Sequence, residues 1–440
     1  MEDSYIIKGG KKIQGDVYLS GAKNVALKMI IASLLFEEKV ILDNIPQIND
    51  VKELIHLVNQ LGAKTIFIEK NKLEVDPRGL KLNKVDFLHA SKIRVSFMLF
   101  APLLYKFGSC YIPNPGGCRI GARPIDRIVE GMKSLGVDVV YNSETGYYYA
   151  KLTKKPSGIY KFSKQTHTGT ELLIMLSIFS DSEVILENCA LEPEIDDLIN
   201  FLNQSGAKIE KNERTIKIVG VKKLKFNQPY SIITDRNEAV TFVCLGLGTG
   251  GWINLKNINP FYLDYFINKL KQIGVSVEKN SQGLLFKSEK KLTATNIETM
   301  PHPGFMTDWQ PNWAVLMTQA EGISTITERV FENRFSYVEE LKKLGAKINF
   351  IEFTPSNPFD YYYFNYEERK KYSQKIEIIG PTKLHGGVLN IVDLRAGASL
   401  AIAALIANGE SIINQVSILE RGYENFIEKV KKIGGEIKKV

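Results

Sequence analysis

One pattern constrains this chain more than any other: six times a short amphipathic stretch ends in a glycine and leads into a second apolar run, at intervals of about seventy residues. The six are LIHLVNQLGAK with Gly62, IVEGMKSLGVD with Gly136, LINFLNQSGAK with Gly206, FINKLKQIGVS with Gly274, VEELKKLGAKI with Gly345 and FIEKVKKIGGE with Gly434. Apolar residues at i, i+3, i+4 and i+7 predict a helix, the glycine a stop just past its end where φ turns positive, and the run beyond it a strand. Upstream lie stretches of small and apolar residues: VALKMIIASLLF, TGTELLIMLSIF, EAVTFVCLGLG, PNWAVLMTQA and GASLAIAALIA. They are apolar nearly all round, so they predict buried helices, and each is followed by a β-rich run (KVILDNI, SEVILEN, GWINLKN, GISTITE, GESIINQ). A unit of this size buries too little apolar surface alone, so the copies must share cores. At 440 residues the chain is long for one core, and two domains of three units each are the natural division.

A hydrophobic content of 44% and a charged content of 24% describe an ordinary globular protein. The longest apolar runs are interrupted and too short to span a bilayer, and the N-terminus MEDSYIIKGG has no signal-peptide core, which points to the cytoplasm and to no membrane partner. Cys110, Cys118, Cys189 and Cys244 form no C-x-x-C pair, and the five histidines are scattered, so neither a metal nor a disulfide framework is expected. The net charge of +8 comes mostly from lysines on the polar faces of the six amphipathic helices rather than from a block. That distribution argues against a nucleic-acid partner and leaves room for an anionic small-molecule site.

The candidate chemistry sits at the starts of the buried helices. GAKN, residues 21–24, places Lys23 and Asn24 at a helix N-terminus, where backbone N–H groups and the dipole favour an anion; a surface lysine beside a cap is the plain alternative. The matching positions hold Arg94 in SKIRVSF, and Lys164, Thr166, Thr168 and Thr170 in SKQTHTGTE. In the second half they hold Asp235 and Arg236 in TDRNEA, Asp308 in TDWQPN, and Asp393 and Arg395 in VDLRAG. An aspartate at a helix start is most often an N-cap, and its recurrence favours that reading for each. Capping leaves the split unexplained, with cations and hydroxyls in one half and aspartate with arginine in the other. Residues 113–127, PNPGGCRIGARPIDR, read as a loop in which Arg119, Arg123 and Arg127 favour the thiolate of Cys118.

GAKN, PGGCxIGARPxD, TDxQ, VFENRF, DLRAxASL and RGYE, in this order over essentially the whole chain, resemble the UDP-N-acetylglucosamine enolpyruvyl transferases. The resemblance implies an α/β fold: a two-domain inside-out α/β barrel of six repeated units, three per domain, with the active site in the interdomain cleft. Residues 22–231 would form the domain carrying the cysteine loop, and residues 1–21 with 232–440 the domain carrying the base. The implied reaction moves the enolpyruvyl group of phosphoenolpyruvate to the 3'-hydroxyl of UDP-N-acetylglucosamine and releases phosphate, the first committed step of peptidoglycan precursor synthesis. No cofactor is implied, and the chain is expected to act as a monomer.

By the same resemblance Lys23, Arg123 and Arg421 would hold the phosphate and carboxylate of phosphoenolpyruvate, and Asp308 would be the base toward the attacking hydroxyl. Asn24, Arg94, Lys164, Thr166, Val330 and the segment from Arg123 would contact the nucleotide sugar. Arg395 would join Lys23, Cys118 and Asp308 as a catalytic residue, and Cys118 would be a proton donor, an adduct-forming thiol and the target of fosfomycin. The chain departs from the pattern at KQTHTGTE, where His167 and Thr168 replace small residues, at Arg119 and Arg127, and at Trp309 beside the base. An insertion from Thr354 to Tyr372 carries Tyr361, Tyr362, Tyr363 and Phe364, read as an ordered surface flap rather than a platform for a base. Three alternatives stand beside this reading: a paralogue using another uridine nucleotide, a 5-enolpyruvylshikimate 3-phosphate synthase, and a catalytically silent nucleotide-sugar-binding regulator.

Overall fold

The computed structural model describes residues 3–117, 120–281 and 283–440. They group into two compact units, one of residues 3–20, 120–123 and 234–440, the other of residues 21–117 and 124–233. Cys118 and Arg119 lie outside the described residues.

The glycine-stopped helices are all present. They run Asn49–Gln60, Asp126–Ser134, Pro193–Gln204, Asp264–Gln272, Val338–Lys343 and Phe426–Lys432. The glycine after each has φ between 89° and 107°, and each is followed at once by a strand. In that left-handed region a residue with a Cβ is strained, which is why glycine recurs there. After Pro193–Gln204 the N–H of Gly206 donates to the Asn203 carbonyl and that of Ala207 to the Leu202 carbonyl, turning the chain out of the helix.

Five of the six glycine-led strands form a hairpin whose second strand pairs with the strand following the buried helix; for the sixth, Glu436–Lys439, the N-terminal strand Ser4–Gly9 takes the place of that second strand. In the first unit of the repeat, Val40–Asp43 pairs antiparallel with Lys72–Asp76, which pairs antiparallel with Lys64–Glu69. Val40 and Leu42 point into the core while Ile41 and Asp43 are half-buried, the period-two pattern of a sheet with one covered face. A fourth strand, Tyr230–Ser231, adds parallel to Val40–Asp43. Four further sheets repeat this order of one parallel and two antiparallel pairings. In the remaining sheet, Ser109–Pro113 with its hairpin, the parallel neighbour shrinks to a single bridge between Lys84 and Tyr111.

The sheets enclose helices buried on all sides. Arg236–Gly248, Gln310–Met317 and Leu394–Ile406 pack against one another in one unit. Alanine and glycine let them approach closely: a Cβ on Gly248 would sit 2.6 Å from the Ile406 side chain, and Ala398, Ala401, Ala403 and Ala404 are wholly buried. The other unit is built around Lys23–Ala32, Phe100–Phe107 and His167–Ser177. Phe100–Phe107 is preceded by a 3-10 helix, Arg94–Leu99, and Pro102 falls in its first turn, where the missing N–H has no intrahelical partner to lose. The N-terminal strand Ser4–Gly9 lies between Gly409–Asn414 and Glu436–Lys439, antiparallel to both. Among the described residues no helix is long and apolar enough to cross a membrane.

Candidate active site

The three aspartates at matching helix starts separate into two kinds. Asp235 accepts hydrogen bonds from the N–H groups of Asn237 and Glu238, and Asp393 from those of Arg395 and Ala396, so both are N-caps. Asp308 is not. Its helix starts later, at Gln310, and no side chain caps it. The Asp308 carboxylate instead receives Nη2 of Arg334 at 2.6 Å and Nε of Arg395 at 3.2 Å, and 23% of its side chain remains exposed. The expectation of a cap at this position is therefore corrected.

Both arginines are buried and held from behind. Nη1 of Arg334 reaches Asp393 at 3.4 Å, and Ser336 Oγ donates to the same carboxylate at 2.9 Å. Nη1 of Arg395 donates to the Tyr423 hydroxyl at 3.3 Å, which lies 2.8 Å from Thr241 Oγ1. Burial alone would raise the Asp308 pKa; the guanidinium groups of Arg395 and Arg334, with Arg123 behind them, outweigh it and hold it at about 2. The result is a carboxylate that stays ionised, faces solvent and is fixed by two charge-assisted hydrogen bonds. Trp309 points away from it: its indole N–H donates to Asn237 Oδ1 at 3.0 Å, and its rings pack on Phe266 and Phe305 in the core.

The run Glu328–Arg334 gathers the other predicted residues of this unit. Buried Glu328 accepts the N–H groups of Val330 and Phe331 and the Thr307 hydroxyl, and so sets the turn that presents Val330. The Arg123 guanidinium lies 5.3 Å from the centre of the Phe331 ring. The Asn333 N–H donates to the Ile120 carbonyl at 3.2 Å, so the end of the cysteine loop is tied to this run. Arg421 ends the 3-10 helix Val416–Arg421, half-buried and two residues before Tyr423.

In the other unit Lys23 opens the helix Lys23–Ala32, with Asn24 half-buried beside it. Lys23 is neither a surface residue nor an isolated cation: it is buried, and its Nζ lies 2.6 Å from Asp50 Oδ2, also buried. Thr166 caps His167–Ser177 through Gly169 N–H at 3.3 Å, and Lys164 is half-buried two residues earlier. His167 Nε2 lies 3.3 Å and Lys28 Nζ 2.9 Å from the buried Glu171 carboxylate. Burial lowers the pKa of His167, but the facing Glu171 charge more than compensates and the net shift is upward. The imidazole thus faces a carboxylate of the protein itself. Arg94 stands at the start of its 3-10 helix, 6.0 Å from the Phe97 ring. The glycines of the cysteine loop pack beside it: a Cβ on Gly116 would sit 1.6 Å from the Ser91 carbonyl oxygen, and one on Gly117 3.1 Å from Arg94 Cβ.

Cys118, the proposed nucleophile, lies outside the described residues. The other cysteines are buried, and burial pushes their thiols up, Cys189 to about 12. Among the described residues no cluster of three or more His, Cys, Asp or Glu is placed to hold a metal ion. Sequence reasoning missed Arg334, Tyr423 and Glu328 as individual residues. VFENRF and RGYE carry all but Glu328, and only their order marked them.

A family model for EPSP synthase (3-phosphoshikimate 1-carboxyvinyltransferase) matches residues 7–430. The UDP-N-acetylglucosamine 1-carboxyvinyltransferase of Koribacter versatilis (strain Ellin345) is 38% identical over 442 residues, spanning 100% of this chain and 96% of its own. That of Bartonella quintana (strain Toulouse) is 39% identical over 452 residues, spanning 100% and 99%. Among solved structures, the enolpyruvyl transferase NikO from Streptomyces tendae shares the fold with a TM-score of 0.85 at 22% identity, over 100% of this chain and 99% of that one. EPSP synthase from Acinetobacter baumannii does so with a TM-score of 0.74 at 18% identity, over 100% of both. The chain belongs to the EPSP synthase family of enolpyruvyl transferases, and the relatives at 38% and 39% identity over its full length are UDP-N-acetylglucosamine 1-carboxyvinyltransferases.

Proposed function

We propose that this chain transfers the enolpyruvyl group of phosphoenolpyruvate to the 3'-hydroxyl of UDP-N-acetylglucosamine, releasing phosphate, with Asp308 as the base. The observation that carries the reading is the exception among three equivalent aspartates: Asp308 alone is released from capping and held by Arg334 and Arg395. In the addition, the sugar oxygen bonds to carbon 2, its proton passes to Asp308, and a proton is delivered to carbon 3, for which Cys118 is the donor. Loss of a proton from carbon 3 then expels phosphate and leaves the vinyl ether, so one phosphoenolpyruvate and one alcohol give one enolpyruvyl ether and one phosphate.

A carboxylate with a pKa of about 2 needs no deprotonation before it acts, yet it is a weak base. Substrate anions drawing on Arg395 and Arg123 would weaken their hold on Asp308 and raise its pKa as the complex forms. Lys23, Arg123 and Arg421 supply cations for the phosphate and carboxylate in this reading. Asn24, Arg94, Lys164, Thr166 and Val330 contact the nucleotide sugar in this reading. The 3.3 Å approach of the half-buried His167 to the buried Glu171 carboxylate supports treating KQTHTGTE as a tolerated departure, because the new side chain faces a charge of the protein itself.

The role of Cys118 is tested by substitution. A carboxyl can donate a proton but cannot open an epoxide to a thioether, so Cys118→Asp is expected to turn over and to resist fosfomycin. Covalent inactivation of that variant would assign the nucleophile elsewhere. The action in the cytoplasm and the place in cell-wall synthesis follow from this substrate assignment.

A further inference from the structure

The fifth hairpin of the repeat differs from its equivalents. Lys64–Glu69 and Lys72–Asp76 are joined by residues 70–71, and Lys208–Asn212 and Thr215–Val219 by residues 213–214. Lys347–Phe350 and Lys375–Gly380 are joined instead by residues 351–374. This connection is a packed element and not only a flap. Tyr362 and Phe364 are buried and stack on each other with ring centres 4.7 Å apart, and Tyr366 and Tyr372 extend the cluster. Tyr362 and Phe364 are thereby spent on packing, not offered to a nucleotide base.

What the connection grips is the run that carries the site. Arg329 Nε donates to the Tyr361 carbonyl at 3.1 Å, and the Tyr363 N–H donates to the Arg329 carbonyl at 2.8 Å. The Arg329 guanidinium lies 4.1 Å from the Tyr361 ring centre and 5.5 Å from that of Tyr363, and its Nη1 pairs with Glu298 at 3.1 Å. At the far end of the connection, the buried Gln374 donates to the carbonyls of both Glu328 and Phe331 at 2.9 Å, and its own backbone carbonyl accepts the Glu328 N–H at 2.7 Å. The same run also bears Phe331 beside Arg123, Asn333 on Ile120 and Arg334 on Asp308. Such a double clamp removes freedom from residues 328–331 without touching substrate.

We propose that residues 351–374 are a positioning element for the anion site: through Arg329 and Gln374 they fix the run Glu328–Arg334, and through Phe331 the position of Arg123. The inference rests on the assignment of Arg123 to phosphoenolpyruvate made above. The test is a double-mutant cycle on the full chain, reading KM for phosphoenolpyruvate and kcat. Arg329→Ala and Gln374→Ala are each expected to raise that KM about tenfold with kcat held within about twofold. Added to Arg123→Ala, Arg329→Ala should raise KM by less than about twofold more, because the contact it supports is already gone.

Fully additive effects, or an unchanged KM in both single variants, would overturn the inference. Should Arg329→Ala not fold, Arg329→Lys keeps the charge facing Glu298 but loses the Nε donation and the flat face, and enters the same cycle with the same expectation of non-additivity. The two assignments fail differently. An unchanged KM in Arg123→Ala overturns the placement of Arg123, whereas a KM raised by Arg123→Ala but not by the clamp variants overturns the clamp alone.

Discussion

At the scale of single residues the decisive fact is that one dipeptide, Thr-Asp, does different things. Asp235 caps a helix and Asp308 faces two arginines, although TDRNEA and TDWQPN read alike. The difference arises because the second helix starts later, at Gln310, and because Arg334 and Arg395 approach from 26 and 87 positions away. Local pattern cannot carry such information; only the family motifs pointed to Asp308. Asp308→Asn is expected to lower kcat by about 10² to 10⁴, the usual contribution of a positioned base. Substantial turnover would remove Asp308 from that role. The folded pKa of about 2 lies below the ordinary 3.8, so these ion pairs stabilise the fold above about pH 4 and lose their contribution as pH falls through 2. Denaturant titrations should show Asp308→Asn less stable than the parent by about 2 kcal/mol at pH 7, with the gap closing toward pH 2. A gap that widened in acid would contradict the assigned pKa.

At the scale of elements, the glycine stops were legible because a helix end is a local event. A 3.6-residue stripe and one residue at positive φ suffice, and all six occur where the pattern put them. The buried helices were legible for a similar reason, since the alanine-rich run GASLAIAALIA has no polar face to turn outward. Glycines that look alike still differ in cost. At Gly206, φ is 95° and an added Cβ would meet nothing within 4 Å, so Gly206→Ala should cost about 1 kcal/mol of stability and leave kcat intact. At Gly116 the same substitution meets the Ser91 carbonyl and should displace the cysteine loop, lowering the rate of Cys118 alkylation or kcat. Equal effects of the two substitutions would refute this distinction. The insertion was visible as extra length and aromatic content, but its grip on Glu328 and Arg329 was not, because Gln374 and Tyr361 carry no mark of their partners.

At the scale of the whole molecule, repetition made the architecture readable. Among the described residues, five four-stranded sheets, a sixth of three strands and their enclosed helices follow from one unit copied along the chain, and the strand Ser4–Gly9 completes the sheet that holds both Gly409–Asn414 and Glu436–Lys439. Deleting residues 1–9 should therefore abolish cooperative folding of the unit that contains 234–440, which calorimetry would report; an unchanged transition would contradict the central place of that strand. Acceptor identity is the part that pattern reached least, since it depends on where a hydroxyl is held to a fraction of an ångström. The direct measurement is phosphate release from the purified full chain given phosphoenolpyruvate with UDP-N-acetylglucosamine, with other UDP-sugars, or with shikimate 3-phosphate. Release with UDP-N-acetylglucosamine and not with shikimate 3-phosphate is the expected result; release with another acceptor only, or with none, would contradict the proposed reaction.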